Sequence, residues 1–192
     1  MKEWLLNIKS ILVFARTINL CENKSKLAGG ILMDESITKQ NAGGAVVEFK
    51  LEINAAVAAV FELLTTNEGL AKWFDELEIG KLGADGHLLF VMTPEEKIKM
   101  PIRAFEHNQK LAFEWDQDEV AFELNATEAN KTNLTFTEQL TAITEHSPRD
   151  ISGWHICLKK LQASAEGETY DFDKAEFETL FSKYQKVLNS EK

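Results

Sequence analysis

Two stretches decide the fold of this chain: Phe61-Glu62-Leu63-Leu64-Thr65-Thr66-Asn67-Glu68-Gly69-Leu70-Ala71-Lys72-Trp73-Phe74, and Ser152-Gly153-Trp154-His155-Ile156-Cys157-Leu158-Lys159-Lys160-Leu161. Around the first, Val57, Val60, Phe61 and Leu64 recur at the period of one helix face. Asn54 reads as the N-cap of that helix, and Leu70, Trp73 and Phe74 mark a second short one. In the second stretch Ile151, Trp154, Leu158 and Leu161 form the apolar stripe of a long helix, opened by Pro148-Arg149-Asp150 and interrupted at Gly167. A further helical piece follows, with Asp173-Lys174-Ala175-Glu176 as a capping box and Phe177, Leu180, Phe181, Tyr184, Val187 and Leu188 as its stripe.

Between the helical stretches, and just before the first, lies strand sequence. In Ala45–Ile53 the apolar residues Val47, Phe49, Leu51 and Ile53 alternate with Glu48, Lys50 and Glu52, the pattern of a half-buried strand. Further strands are expected at Leu77–Ile79, His87–Met92, Ile98–Ala104 (with Pro101 favouring an edge or bulge), Leu111–Trp115, Val120–Ala126 and Leu134–Leu140. Turn-like separators stand between them: Gly83-Ala84-Asp85-Gly86, His107-Asn108-Gln109, Asp116-Gln117-Asp118 and Ala129-Asn130-Lys131. The order is strand, two short helices, six strands, long helix, an α+β chain built on an antiparallel meander.

These pieces, with Arg103-Ala104-Phe105-Glu106, Lys110-Leu111-Ala112-Phe113-Glu114-Trp115 and Lys131-Thr132-Asn133-Leu134-Thr135-Phe136-Thr137, resemble the START/Bet v1-like (SRPBCC) superfamily over about residues 45–188. The branch they are most similar to is the C-terminal domain of the activator of Hsp90 ATPase. The resemblance implies a helix-grip fold: a curved antiparallel seven-stranded sheet, two short helices, and a long C-terminal helix filling the concave side. It also implies that Trp73 is a core residue of the short helices, and that Gly153 lets the long helix approach the sheet. An apolar cavity between sheet and last helix is its usual functional feature.

Residues 34–44 are polar and Gly-rich and read as a flexible leader, so residues 1–44 are expected to be an extension and 45–190 the domain. Residues 1–32 carry a net charge of +3 and leave −13 on residues 33–192. Trp4, Leu5, Ile8, Ile11, Leu12, Ala15 and Ile18 fall at the spacing of an amphipathic helix, with Lys2, Lys9 and Arg16 on another face. The break in composition at Met33 sets against this the expectation that translation begins at Met33 and that residues 1–32 are not part of the native protein.

A net charge of −10 over 192 residues argues against a surface that tracks nucleic-acid phosphates. No apolar run approaches the roughly 18 residues needed to span a bilayer. Two cysteines, Cys21 and Cys157, do not suggest a structural disulfide and suit a reducing cytoplasm.

No metal-ligand spacing, Walker loop, dinucleotide glycine pattern or nucleophile elbow occurs, so neither metal nor cofactor is expected. His155 and Cys157 are two apart on a helix and cannot pair; His155 is expected on the helix flank and Cys157 in the core. His87 and His107 lie beside turns and are expected to be solvated. The acidic groups Asp75-Glu76, Glu95-Glu96, Asp116–Glu119 and Glu166–Glu168 read as solvated surface charge. The candidate cavity wall is Trp73, Arg103, Phe113, Trp115, Phe122, Phe136, Trp154 and Leu158, with Arg103, Thr135 or His155 as polar groups.

Three functions follow. The first is a non-enzymatic binding protein, monomer or homodimer, for a small apolar or amphipathic ligand. The second is a chaperone-associated or stress-response protein, as the resembling family implies; residues 1–44 carry nothing like the Asn- and Trp-rich motif by which the eukaryotic activator contacts the chaperone. The third is a hydrolase or cyclase, for which no residue set stands out.

Overall fold

The computed structural model describes residues 33–190. The expectations for residues 1–32, amphipathic helix or untranslated leader, lie outside the described residues. The elements are β1 (Met33–Lys39), β2 (Ala45–Ile53), helices α1 (Val57–Thr65) and α2 (Asn67–Leu70), β3 (Leu77–Lys81), β4 (His87–Thr93), β5 (Glu96–Glu106), β6 (Lys110–Trp115), β7 (Asp118–Glu128), β8 (Lys131–Leu140), α3 (Ser147–Ala165) and α4 (Lys174–Asn189). One open antiparallel sheet runs in the order β1-β2-β8-β7-β6-β5-β4-β3. From β2 the chain crosses through α1 and α2 to β3 at the far edge, then returns strand by strand until β8 pairs with β2. Register shifts at Ile79/Lys81, Val91/Thr93, Ile102/Ala104 and Ala126/Glu128 bend the sheet around α3.

The alternation read in β2–β8 becomes three rows across the concave face. Leu51 faces Leu134 and then Leu124; Phe49 faces Phe136, Phe122 and Leu111; Val47 faces Glu138, Val120 and Phe113. α3 lies on these rows, with Ile151, Leu158 and Leu161 wholly buried and Trp154 only 2% exposed.

Four readings need correction. First, residues 33–39 are not a flexible leader but an eighth strand, paired with β2 from Met33↔Leu51 to Lys39↔Ala45. The inward phase of β1 is Met33, Glu35, Ile37 and Lys39, two of them charged, so its alternation carries little apolar signal. Second, Asn54 does not cap α1. The N-cap is Ala56, without a side-chain bond, and Asn54 instead donates its backbone and amide N–H groups to Glu166 Oε1 at 2.8 and 3.1 Å. Third, the capping box of α4 is half formed: Asp173 accepts from the Ala175 N–H at 2.8 Å, but Glu176 turns to Lys159 and Tyr170. In the stripe of the same helix Phe181 is half-buried and Val187 is exposed.

Fourth, Gly153 does not admit the sheet. A Cβ placed there would have no described atom within 4 Å, so the residue faces open space. Its cost is then simply helix propensity, and Gly153→Ala is expected to raise the stability to urea by up to about 1 kcal/mol. A loss instead would show that the helix does rely on a close approach at this point. Gly167, by contrast, has φ +73 and ends α3 in the left-handed region that its lack of a Cβ allows.

Candidate functional site

The concave face and α3 enclose an aromatic cluster. The Trp154 ring centroid lies 4.8 Å from Phe136, 5.0 Å from Trp115, 5.6 Å from Phe74 and 6.1 Å from Phe122. Trp73 is fixed from outside this cluster, its indole N–H donating to the Leu63 carbonyl at 2.9 Å and its ring meeting Phe122 edge-on at 5.8 Å. Phe113 stacks on Phe122 at 6.4 Å, and Leu158 is wholly buried. Trp115 and Phe90, 5.6 Å apart, are half-buried and form the rim of the cluster. Ring contacts thus join six of the eight predicted wall residues, Trp73, Phe113, Trp115, Phe122, Phe136 and Trp154, and Leu158 is buried in the core.

Arg103 is not. It is exposed at the bulge of β5 and ion-paired to Glu114. Thr135 also points away, since the inward phase of β8 is Thr132, Leu134, Phe136, Glu138 and Leu140. The polar group that enters the cluster is one the sequence reading passed over, Glu138. It is wholly buried, and both carboxyl oxygens have no hydrogen-bond partner among the described residues. The Trp154 indole favours the ionised form of Glu138 slightly but falls short of hydrogen-bond geometry. Burial, then the charges of Asp150 and Asp118, push the Glu138 carboxyl well above the ordinary carboxylate range.

Asp150 stands one helical turn before Trp154 on α3, and burial with the charge of Asp118 raises it to about 7. Asp118, at the start of β7 opposite Trp115, accepts from the Thr141 N–H at 2.6 Å and is raised by burial. Asp116, in the turn between β6 and β7 with φ +57, is raised by burial as well. Asp116 is exposed as expected, whereas Asp118, half-buried, is not a plain solvated charge. Nor is Glu76, only 8% exposed and pushed to about 7 by burial and by the charge of Asp75 beside it. Among the described residues no group of three or more His, Cys, Asp or Glu side chains is arranged to hold a metal ion, and no helix is long and apolar enough to cross a membrane.

The sequence model of the family described as Activator of Hsp90 ATPase homolog 1-like protein matches residues 54–166. The chain belongs to this family. A conserved protein of unknown function from Enterococcus faecalis has the same fold with 30% identity, TM-score 0.70, over 82% of this chain and 92% of that one. CalU16 from Micromonospora echinospora matches with 16% identity, TM-score 0.64, over 84% and 100%. The Aha1 dimer from Colwellia psychrerythraea matches with 21% identity, TM-score 0.54, over 63% and 96%. No curated protein sequence matches. In this Hsp90-activator-like chain the family segment begins and ends on a contacting pair, Asn54 and Glu166. Trp115, Asp118, Glu138, Asp150 and Trp154 all fall inside it.

A second polar cluster of this family member draws on residues outside the family segment. Tyr184 of α4 donates its hydroxyl hydrogen to Glu35 of β1 at 2.7 Å, and His155 Nδ1 lies 2.6 Å from the same hydroxyl oxygen. With that hydrogen given to Glu35, His155 must donate from Nδ1, which assigns the tautomer. Lys183 pairs with the same carboxylate. Burial opposes ionisation of Glu35, but hydrogen bonds from Lys183 and Tyr184 outweigh it and hold its carboxyl below the usual range. Burial, with the charge of Lys159, lowers His155 to about 4, so the imidazole is neutral. His155 is therefore not on the helix flank: α4 covers that side of α3, and Phe49 meets the imidazole edge-on at 5.5 Å. The cluster is satisfied throughout and fastens β1 and α4 to α3. Of the other histidines, His107 is exposed, with its ring 5.3 Å from Phe61, and His87 is half-buried. Cys157 is a free, buried thiol, pushed up by burial.

Proposed function

We propose that this chain is a cytoplasmic, non-enzymatic binding protein that holds a small apolar or amphipathic molecule between the concave sheet and α3. The observation that carries the reading is Glu138: a wholly buried carboxyl without a hydrogen-bond partner, set in an otherwise apolar wall between Val120 and Val47. A polar group left unpaired inside a fold costs on the order of 1–3 kcal/mol, and a leucine in its place would be the cheaper core. Ligand sites have this composition, apolar walls with a few placed polar groups. The half-buried Trp115 and Phe90 give the aromatic cluster its side toward solvent.

The test is titration with medium-chain fatty acids, alcohols and amines and with an environment-sensitive dye, read by tryptophan fluorescence and by the unfolding midpoint. A specific ligand saturates at one per chain and, at a hundred times its dissociation constant, stabilises by about 2.7 kcal/mol. If no compound saturates, the interior is a core. A second reading, association with a chaperone, draws on the family name alone; its check is whether the protein alters Hsp90 ATPase turnover.

A further inference from the structure

Resting on that binding reading, we propose that the ligand is an amphipathic amine, its ammonium group received by Glu138 and its apolar body lying against Trp115 and Trp154. Four carboxyl groups gather at this end of the grip: Glu138 from β8, Asp118 two residues before Val120, the cross-strand neighbour of Glu138 on β7, Asp150 from the first turn of α3, and Asp116 exposed in the turn at the rim. None of the four is ion-paired within the described residues. The cation that acts on Asp150 is Arg149, whose guanidinium lies over the Phe181 ring at 5.3 Å.

The chemistry of the pair follows from this arrangement. Like charges gathered in a poorly solvated place repel one another, and a cation brought among them is favoured by the same field. The tryptophan faces add to that preference, because an ammonium is attracted to an aromatic face and most strongly to indole. An alcohol of the same length gains the aromatic contact only, and a carboxylate is repelled. The unpartnered oxygens of Glu138 supply the hydrogen-bond acceptors that an ammonium needs when it leaves water.

Proton balance gives a further signature. The groups facing Glu138 are Asp150 and Trp154 from α3 and Asp118 from β7, with Val47 and Val120 beside it on β2 and β7. Burial and the two aspartates shift the Glu138 carboxyl toward its protonated form. An ammonium binds the ionised form, so binding releases a proton and the affinity rises with pH while the ligand remains protonated.

The experiment compares dodecylamine, dodecanol and dodecanoate, all below their micelle concentrations, by calorimetry and tryptophan fluorescence. The proteins are the full chain, E138Q, and E95Q as a control that removes one exposed carboxylate. For the full chain and E95Q the amine is expected to bind at least tenfold more tightly than the alcohol, and more tightly at pH 8 than at pH 6. In E138Q the preference should fall about tenfold while dodecanol binding is unchanged, which also shows that the variant is folded. Equal affinity for amine and alcohol, or an amine preference that survives in E138Q, overturns the amine assignment and leaves the binding reading standing. If none of the three saturates, the binding reading fails, and this one with it.

Discussion

Trp154→Ala is expected to cost about 3–5 kcal/mol in urea or guanidinium denaturation, the usual range for emptying a large buried aromatic site. Trp154 is 2% exposed and meets four other aromatic rings between 4.8 and 6.1 Å, so no single neighbour can rotate into the space it leaves. It is also the point where α3 grips the concave face, and that helix brings α4 and β1 with it through His155 and Tyr184. Against a total stability of about 5–15 kcal/mol for a typical domain, such a loss is a large fraction. Trp154→Phe, which keeps a ring in the cluster, should lose less than half as much. A denaturation midpoint for Trp154→Ala close to that of the unaltered chain would mean that α3 does not hold the sheet through this face.

The residues that made the fold legible are those whose inward phase is wholly apolar. Phe49, Phe122, Phe136 and their row partners announce their strands because every second residue is hydrophobic. β1 was illegible for the opposite reason: Glu35 and Lys39 occupy inward positions, made tolerable by Tyr184 and Lys183 and by the Ser190 carbonyl. Those partners lie roughly 150 residues along the chain, and no local pattern reports them. The same distance hid the burial of His155, because the stripe of α3 reveals the face against the sheet but not the face α4 covers. Glu138 could have been read. Leu134, Phe136 and Leu140 share its phase, and a carboxyl at the missing beat of an apolar alternation is itself a signal. Arg103 and Thr135 were candidates by chemical type; the phase of their strands, and a bulge in the first case, turns both outward.

Stability is expected to be greatest near pH 5 and to fall by about 3 kcal/mol or more toward pH 8, the reverse of the trend set by ion-paired carboxylates. Burial raises Glu138, Glu76 and Asp150, the last two to about 7 from ordinary values of 4.5 and 3.8. Between pH 5 and 7 the folded chain therefore holds protons that the unfolded chain has released, and its stability declines as pH rises. The shift of Glu76 alone corresponds to about 3 kcal/mol. His155 acts in the other direction: lowered from 6.5 to about 4, it makes the folded chain the poorer proton binder in that window, and its contribution is complete above pH 6.5. Glu35 and Glu176, held below the usual range, add stability above pH 4.5 that is lost on acidification. The carboxyls outnumber the imidazole, so the neutral limb slopes down. Denaturation of the chain and of the double variant E76Q/E138Q at pH 5, 6, 7 and 8 separates these contributions. The variant should match the unaltered chain near pH 5, exceed it at pH 8, and lose most of the decline. A chain as stable at pH 8 as at pH 5 would mean that these carboxyls are hydrated. The interior of the grip would then hold no buried proton for a cationic ligand to displace.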